Sequence, residues 1–555
     1  MVHFDDTESD EATIGIEYVK EFSTFRLFSD DGFAVERIVD NYTIDNPAYF
    51  YCKQAGSVFV DDKLSPFGKL GDAPIGLLTS VIRETKVRYP KYEFVFQDEE
   101  QRDVVARKLF PLRGVANIKT LDDIRTFDNK SLEWRDYQIE CVKKVLNRGR
   151  GLISSPTASG KSLIIGTSIK NMVENDALRK ACFPTGNEIV LILVPGVQLV
   201  SQMYQDLLDY GMPKEWLSKF SSNTGKKSSG NFCDNSCSGG FNKVVITNRS
   251  WLEAGHVKDL PPIGVIIVDE VHTVGPKTWS YKFVKGLSTN IRIGFSGTIP
   301  DSYKRWMIEG VFGEVMVRLK ITDLQDQGFL TKLKIEFVKM RDLYVESDRN
   351  ILFHTHSRYH FDENDTSEDA IGVSQAFQEE VAYMSKNAEH LYEVPFQKIH
   401  DDSAKKNTLF LFDRLEMGRG LVSLCNRIWG EKNVHYIDGS IDVADREDVR
   451  KTLENTTGQA LVAQSVTTST GWNVRNLDNI VFCFSGKSTS KIIQSIGRTL
   501  RKLNGKEVAT LYDISFNYKY SEKHLMQRIK IFKEAYGDYE KNIVQMTVRN
   551  DCQLL

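Results

Sequence analysis

Two short stretches about a hundred residues apart carry side chains suited to phosphate chemistry. The first is Ser155-Pro156-Thr157-Ala158-Ser159-Gly160-Lys161-Ser162. A small-residue loop feeding a helix start aims several backbone N–H groups at an anion, and a lysine and a hydroxyl follow directly. In such a loop Lys161 reaches the β- and γ-phosphates of a nucleotide and Ser162 offers its hydroxyl to Mg²⁺. The full G-x4-G-K-[ST] pattern is not met, because Ser155 stands where the first glycine belongs. The second stretch, Asp269-Glu270-Val271-His272, follows an apolar run. An acid there can hold Mg²⁺, and its neighbour can orient and deprotonate water. A third, Gln494-Ser495-Ile496-Gly497-Arg498-Thr499-Leu500-Arg501, spaces two arginines i, i+3 on a helical pattern. Both guanidinium groups then leave one face, placed to stabilise charge on a phosphoryl group in flight.

These residues need rigid strand ends to hold them, and the hydrophobic pattern supplies them. Gly151–Ser155, Ile189–Val194, Lys243–Thr247, Ile263–Val268 and Ile291–Phe295 are apolar runs separated by helical patterns at Leu163–Val173 and Gln198–Leu208. The pattern repeats at Thr408–Phe412, Val434–Ile437, Ala460–Ala463, Asn479–Phe484 and Val508–Tyr512. Helical segments Leu415–Trp429, Val443–Glu454 and Thr489–Lys502 lie between them. Short runs apolar on both faces belong to parallel sheets covered by helices. The sequence therefore predicts α/β architecture, two successive doubly wound parallel-sheet domains. Residues 1–125 mix strand and helix signals (Tyr92–Phe96, Asp98–Leu109) and are expected to form a small N-terminal α+β accessory domain. The expected divisions are 1–125, 126–318, 319–520 and a helical tail at 521–555.

Composition bounds the rest. At 555 residues the chain is too long for one core. A net charge of −3 argues against coating nucleic acid by bulk charge, so any contact must come from local groups. Eight scattered cysteines fit reduced thiols better than a disulfide framework. The acidic N-terminus lacks the apolar core of a signal peptide, and the longest apolar runs fall far short of the roughly 20 residues that span a membrane. A soluble cytoplasmic protein with no membrane partner is expected. Cys233 and Cys237 lack a second pair of zinc ligands, and His354, His356 and His360 lack partners that would complete a site. Lys226-Lys227 reads as a solvated run in a flexible loop.

The ordered set of motifs resembles the superfamily 2 helicases and translocases over about residues 131–515. Trp134-Arg135-Asp136-Tyr137-Gln138 resembles the upstream glutamine motif, in which Gln138 reads adenine. Pro195-Gly196-Val197-Gln198-Leu199-Val200-Ser201-Gln202 is similar to motif Ia, and Ile246-Thr247-Asn248-Arg249-Ser250 to motif Ib. Ser296-Gly297-Thr298 matches motif III, Thr408–Leu421 stands at motif IV, Ala463–Asn473 at motif V, and Gln494–Arg501 is motif VI nearly letter for letter. Motif V departs in carrying Asn473 after a bulky Trp472, where an acid often follows. Within the superfamily the chain looks most like the bacteriophage UvsW recombination helicases. That likeness is carried by Pro156–Ser162, Gly310-Val311-Phe312-Gly313-Glu314-Val315 and Gly328-Phe329-Leu330-Thr331-Lys332-Leu333-Lys334-Ile335, together with the N-terminal Asn46-Pro47-Ala48-Tyr49-Phe50-Tyr51 and Pro74-Ile75-Gly76-Leu77-Leu78.

The resemblance implies two tandem RecA-like domains and ATP with Mg²⁺. It implies catalysis by Lys161, Asp269, Glu270, Gln494, Arg498 and Arg501, the arginines reaching the nucleotide from the second domain. Gln138, Thr157, Ala158, Ser159, Gly160, Lys161, Ser162, Gly471 and Asn473 would bind nucleotide, with Ser162 and Asp269 on the metal. His272, Ser296 and Thr298 would couple hydrolysis to movement. Pro195, Gln198, Thr247, Asn248, Arg249, Thr467 and Thr468 would touch nucleic acid. The implied substrates are branched or duplex DNA (D-loops, R-loops and Holliday junctions, hence also RNA–DNA hybrid), in the host cytoplasm for a chain of phage origin. Protein partners are not indicated. An RNA helicase, a restriction-type translocase subunit and an ATP-gated clamp that does not unwind are the competing readings.

Overall fold

The computed structural model describes residues 11–127 (less 48, 50–52, 54–59 and 69), 133–221, 243–342 (less 277) and 369–465 (less 404), then 467, 474, 476–483, 486, 492–493, 495–497, 500 and 506–548 (less 538). The chain divides into two compact units. One comprises Met1–Ser155 and Gly160–Leu319; the other comprises Lys320–Leu555 and groups with it the four residues Pro156–Ser159.

The first unit opens with a small α+β layer. Its strands are β1 (Ala12–Val19), β2 (Thr24–Phe28), the short pair β3 (Ile44–Asp45) and β4 (Lys63–Leu64), then β5 (Asp72–Pro74) and β6 (Tyr92–Phe96). The main sheet runs β5-β2-β1-β6. Helices Gly32–Asn41, Leu78–Arg88 and Glu99–Leu109 accompany it. Ile14, Ile16, Phe25, Leu27 and Tyr92 alternate along the strands and enter a common core, as a sheet with one covered face requires.

A parallel α/β layer follows in the same unit. Its strands are β7 (Arg150–Ser154), β8 (Ile189–Val194), β9 (Leu217–Phe220), β10 (Val244–Asn248), β11 (Ile263–Val268), β12 (Ile291–Ser296) and β13 (Val315–Arg318). They pair in the order β13-β7-β12-β11-β8-β10-β9. Every pairing is parallel. β8 and β12 are buried throughout, which accounts for their uninterrupted apolar sequences. The order places β12 and β11 between β7 and β8, so their C-terminal ends gather beside the loop after β7.

Helix Ser302–Phe312 belongs to both layers of this unit. Ile308, Val311 and Phe312 sit in the core under the seven-stranded sheet. Trp306 on the same helix is buried in the N-terminal core, its ring 4.9 Å from that of Tyr42. Gly76 lies so close to this helix that a Cβ would stand 2.5 Å from the carbonyl oxygens of Glu309 and Gly310. Arg305 donates to Glu84 at 3.1 Å, and Arg148 to Glu314 at 2.7 Å. Arg83 also pairs with Glu314.

The second unit is another seven-stranded parallel sheet. It contains β14 (Lys332–Arg341), β15 (Thr408–Phe412), β16 (Val434–Ile437), β17 (Ala460–Gln464), β18 (Asn479–Phe482), β19 (Val508–Phe516) and β20 (Glu540–Thr547). Their order is β16-β17-β15-β18-β19-β14-β20, again all parallel. Helices Asp369–Lys386, Ala388–Ser403, Leu415–Trp429, Val443–Asn455 and Lys519–Tyr536 accompany it. Helix Lys519–Tyr536 is anchored by a fully buried pair, Arg528 donating to Asp513 through Nε at 2.9 Å and through a second nitrogen at 2.7 Å. Two tandem doubly wound domains with a small N-terminal α+β region are thus observed. The expected tail resolves into that helix and β20. Among the described residues no helix is long and apolar enough to cross a membrane, and Cys141, Cys182, Cys425 and Cys483 are free and buried. Cys233, Cys237, Lys226, Lys227, His354, His356 and His360 lie outside the described residues.

Candidate nucleotide site

The loop after β7 is held by its neighbours. Ser155 N–H donates to the Ser296 carbonyl at 2.8 Å, tying the loop's start to the end of β12. Ala158 and Gly160 have φ of 70° and 83°, the left-handed conformation that turns successive N–H groups to one side. Gly160 then caps helix Lys161–Glu174. Its positive φ favours glycine, and a Cβ there would lie 2.4 Å from Nε2 of Gln138, displacing that side chain from its present place. Gln138 is buried and accepts the Arg135 backbone N–H at 3.2 Å through Oε1. The glutamine motif is therefore packed on the phosphate loop, and a Gln138 side chain that reads adenine would do so from this fixed position.

The acids stand at the end of β11. Asp269 N–H donates to the Leu193 carbonyl of β8 at 2.9 Å, and Glu270 N–H to Asp269 Oδ1 at 2.9 Å. Glu270 holds a left-handed φ of 50°, an uncommon conformation for a residue with a side chain. Lys161 Nζ donates to Glu270 Oε1 at 2.7 Å and lies 3.7 Å from Asp269 Oδ1. All three side chains are less than one-fifth exposed. Burial alone would depress the Lys161 ammonium, but Glu270 and Asp269 outweigh it and raise its pKa. Burial would likewise raise Glu270, yet Lys161 and then His272 hold its carboxyl far below the usual range. Asp269 is shifted upward, burial prevailing over Lys161.

A second layer of contacts runs from the acids to the end of β12. His272 Nδ1 lies 2.8 Å from Ser296 Oγ and 3.2 Å from Glu270 Oε2. Ser296 Oγ is 2.6 Å from the Thr298 carbonyl oxygen and 3.4 Å from Glu270 Oε2. Thus Lys161, Asp269, Glu270, His272, Ser296 and the Thr298 backbone form one connected set.

Residues 131–301 match the family described as type III restriction enzyme, res subunit, and residues 386–502 match the helicase conserved C-terminal domain. Over 553 residues the chain is 25% identical to the ATP-dependent DNA helicase uvsW of Enterobacteria phage T4, covering 95% of this chain and 96% of that protein. The chain belongs to the superfamily 2 helicases. A solved structure of the ATP-dependent type ISP restriction-modification enzyme LlaBIII bound to DNA shares the fold, with a TM-score of 0.54 and 14% identity. That likeness covers 85% of this helicase and 34% of the other chain. This helicase is therefore a UvsW-like, ATP-dependent enzyme acting on nucleic acid.

Other expected site residues are placed less uniformly. Thr247 and Asn248 are buried at the end of β10. Arg249 is partly exposed and donates to Glu253 at 2.7 Å. Pro195 and Gln198 are partly exposed, while Thr467 is buried. Thr468, Gly471, Trp472, Asn473, Gln494, Arg498 and Arg501 lie outside the described residues. Tyr210 was not indicated by any motif, yet its hydroxyl is 2.9 Å from Ser162 Oγ. A tyrosine ending a helix is too common to signal a site.

The donors present suit Mg²⁺. Ser162 offers a hydroxyl and Asp269 a carboxylate, both hard oxygens, and no cluster of three or more His, Cys, Asp or Glu side chains competes for a metal among the described residues. Mg²⁺ retains waters and takes few protein ligands when phosphates supply the rest.

Proposed function

We propose that this helicase hydrolyses ATP with Mg²⁺ to remodel branched DNA, including the D-loops, R-loops and Holliday junctions of recombination and repair. Lys161 and the N–H groups around Ala158 and Gly160 would hold the triphosphate, with Ser162 and Asp269 on the metal. Mg²⁺ there would shield the phosphate oxygens and favour departure of the leaving group. The observation that carries the catalytic part is the Lys161–Glu270 ion pair. A γ-phosphate competes with Glu270 for the same ammonium. Once Lys161 turns to phosphate, Glu270 loses the cation that most lowers its pKa, and its basicity rises when an attacking water must be deprotonated. His272 and Ser296 report the change to the Thr298 backbone, which supports their coupling role. Gln494, Arg498 and Arg501 are assigned on motif VI alone, to position water and stabilise transferred charge.

The DNA substrate is supported by likeness to a phage protein described as an ATP-dependent DNA helicase, extending across the N-terminal region as well as the motor. Contacts to phosphates serve an enzyme that must act on any sequence. ATPase stimulation by single-stranded DNA, duplex, four-way junction, RNA–DNA hybrid and RNA tests this directly. The junction is expected to stimulate most. Equal stimulation by RNA alone would overturn the substrate assignment.

A further inference from the structure

Ser162 sits in the first turn of helix Lys161–Glu174, and its hydroxyl faces the phenol oxygen of Tyr210 at 2.9 Å. Tyr210 is the last residue of helix Val197–Tyr210, which ends on Gly211 with φ 105°. Two further contacts fix the phenol. Its ring lies 6.1 Å from that of Phe127, centroid to centroid, and Phe127 is itself buried. One turn back, Leu207 is wedged against Gly166, where a Cβ would stand 2.8 Å from Leu207 Cδ2. The two helices are thus locked at two successive levels, and the phenol is held against the serine.

We propose that Tyr210 is a positioning residue for the metal-side hydroxyl of Ser162. A serine hydroxyl has one proton and two lone pairs. When Ser162 gives its proton to Tyr210, the rotor is fixed and a lone pair remains directed away from the phenol, available to a cation. Without that acceptor the hydroxyl rotates freely and must be ordered at the moment of metal binding. A single hydrogen bond of this kind is worth about two- to tenfold in an equilibrium.

The inference rests on the proposed nucleotide site, and equilibrium binding of a fluorescent ADP to the full-length protein separates the two. Binding is measured without nucleic acid, once in EDTA and once across a Mg²⁺ titration. In Tyr210→Phe, which keeps the ring and its packing, EDTA affinity is expected to stay within twofold of the native value. The Mg²⁺ concentration giving half of the metal-dependent gain should rise about two- to tenfold. In a Ser162→Ala background the same Tyr210→Phe change should produce no further shift. An unchanged Mg²⁺ requirement, a shift that persists without the serine hydroxyl, or an equal loss in EDTA overturns the role of Tyr210. Failure of the native protein to bind ADP refutes the nucleotide site itself, and this inference with it.

Discussion

Lys161 serves two kinds of partner, a carboxylate and a phosphate, and the buried cluster is arranged so that it can exchange one for the other. Removing the base while keeping its shape isolates the two duties. Glu270→Gln is expected to bind nucleotide within a few-fold of the native affinity, while turnover falls by about 10²–10⁴-fold; nucleotide titration beside steady-state ATPase checks both. Lys161→Ala should abolish turnover. For Arg501→Ala we expect kcat to fall far more than nucleotide affinity, because a group acting on the transition state contributes little to ground-state binding. Comparable losses in both would remove its assigned role. Residue types and spacing made the phosphate loop and the acid pair legible in the sequence, since their chemistry demands those side chains beside strand ends. Gln138 packing on Gly160 and Tyr210 facing Ser162 were not legible. Both contacts join residues of separate elements, which local spacing does not encode.

Among the elements, helix Ser302–Phe312 has the most to lose from small changes. Trp306→Ala should destabilise the first unit by about 3–5 kcal/mol, read from chemical denaturation. Gly76→Ala should also destabilise it, because the new methyl meets backbone carbonyls that cannot rotate away. Helix Lys519–Tyr536 supplies a pH test. Its first turn is capped from a distant helix by Glu380, which accepts the N–H of Tyr520 at 2.9 Å and of Ser521 at 2.7 Å. Burial, the largest influence, pushes the Glu380 carboxyl from 4.5 up to about 7. Between those values the folded chain holds a proton that the unfolded chain releases, so stability falls as pH rises through that window and levels off above it. The fall amounts to at most about 3 kcal/mol. Melting temperature against pH should show the decline in the native protein and lose it in Glu380→Gln. Most strands buried on both faces match their expected runs to within two residues, because burial leaves an unbroken apolar run. β19, by contrast, continues four residues past the expected end at Tyr512, where Asp513 and Ser515 interrupt the apolar pattern. Sharing of one helix between two cores was not predicted, since either apolar face read alone is an ordinary amphipathic pattern.

For the whole molecule, the strand orders of the two sheets differ in how far the chain must travel to complete them. Every strand of the first parallel sheet lies between residues 150 and 318. In the second, β14 is the first strand made, and both its partners are the last, β19 and β20. Residues 1–319 produced alone are accordingly expected to fold cooperatively and to bind nucleotide weakly. A chain lacking residues 538–555 should leave β14 with an open edge and aggregate; solubility and protease resistance of the two fragments test the contrast. Joining strands so far apart in sequence carries a large loop-closure cost. On the ribosome, β14 therefore waits through about two hundred further residues before its ladders can form. Slower translation would leave the strand's apolar residues, Leu333, Ile335, Phe337, Val338 and Met340, uncovered for longer, so the yield of intact enzyme should depend on how quickly the second half is synthesised, or on a chaperone that shelters it meanwhile.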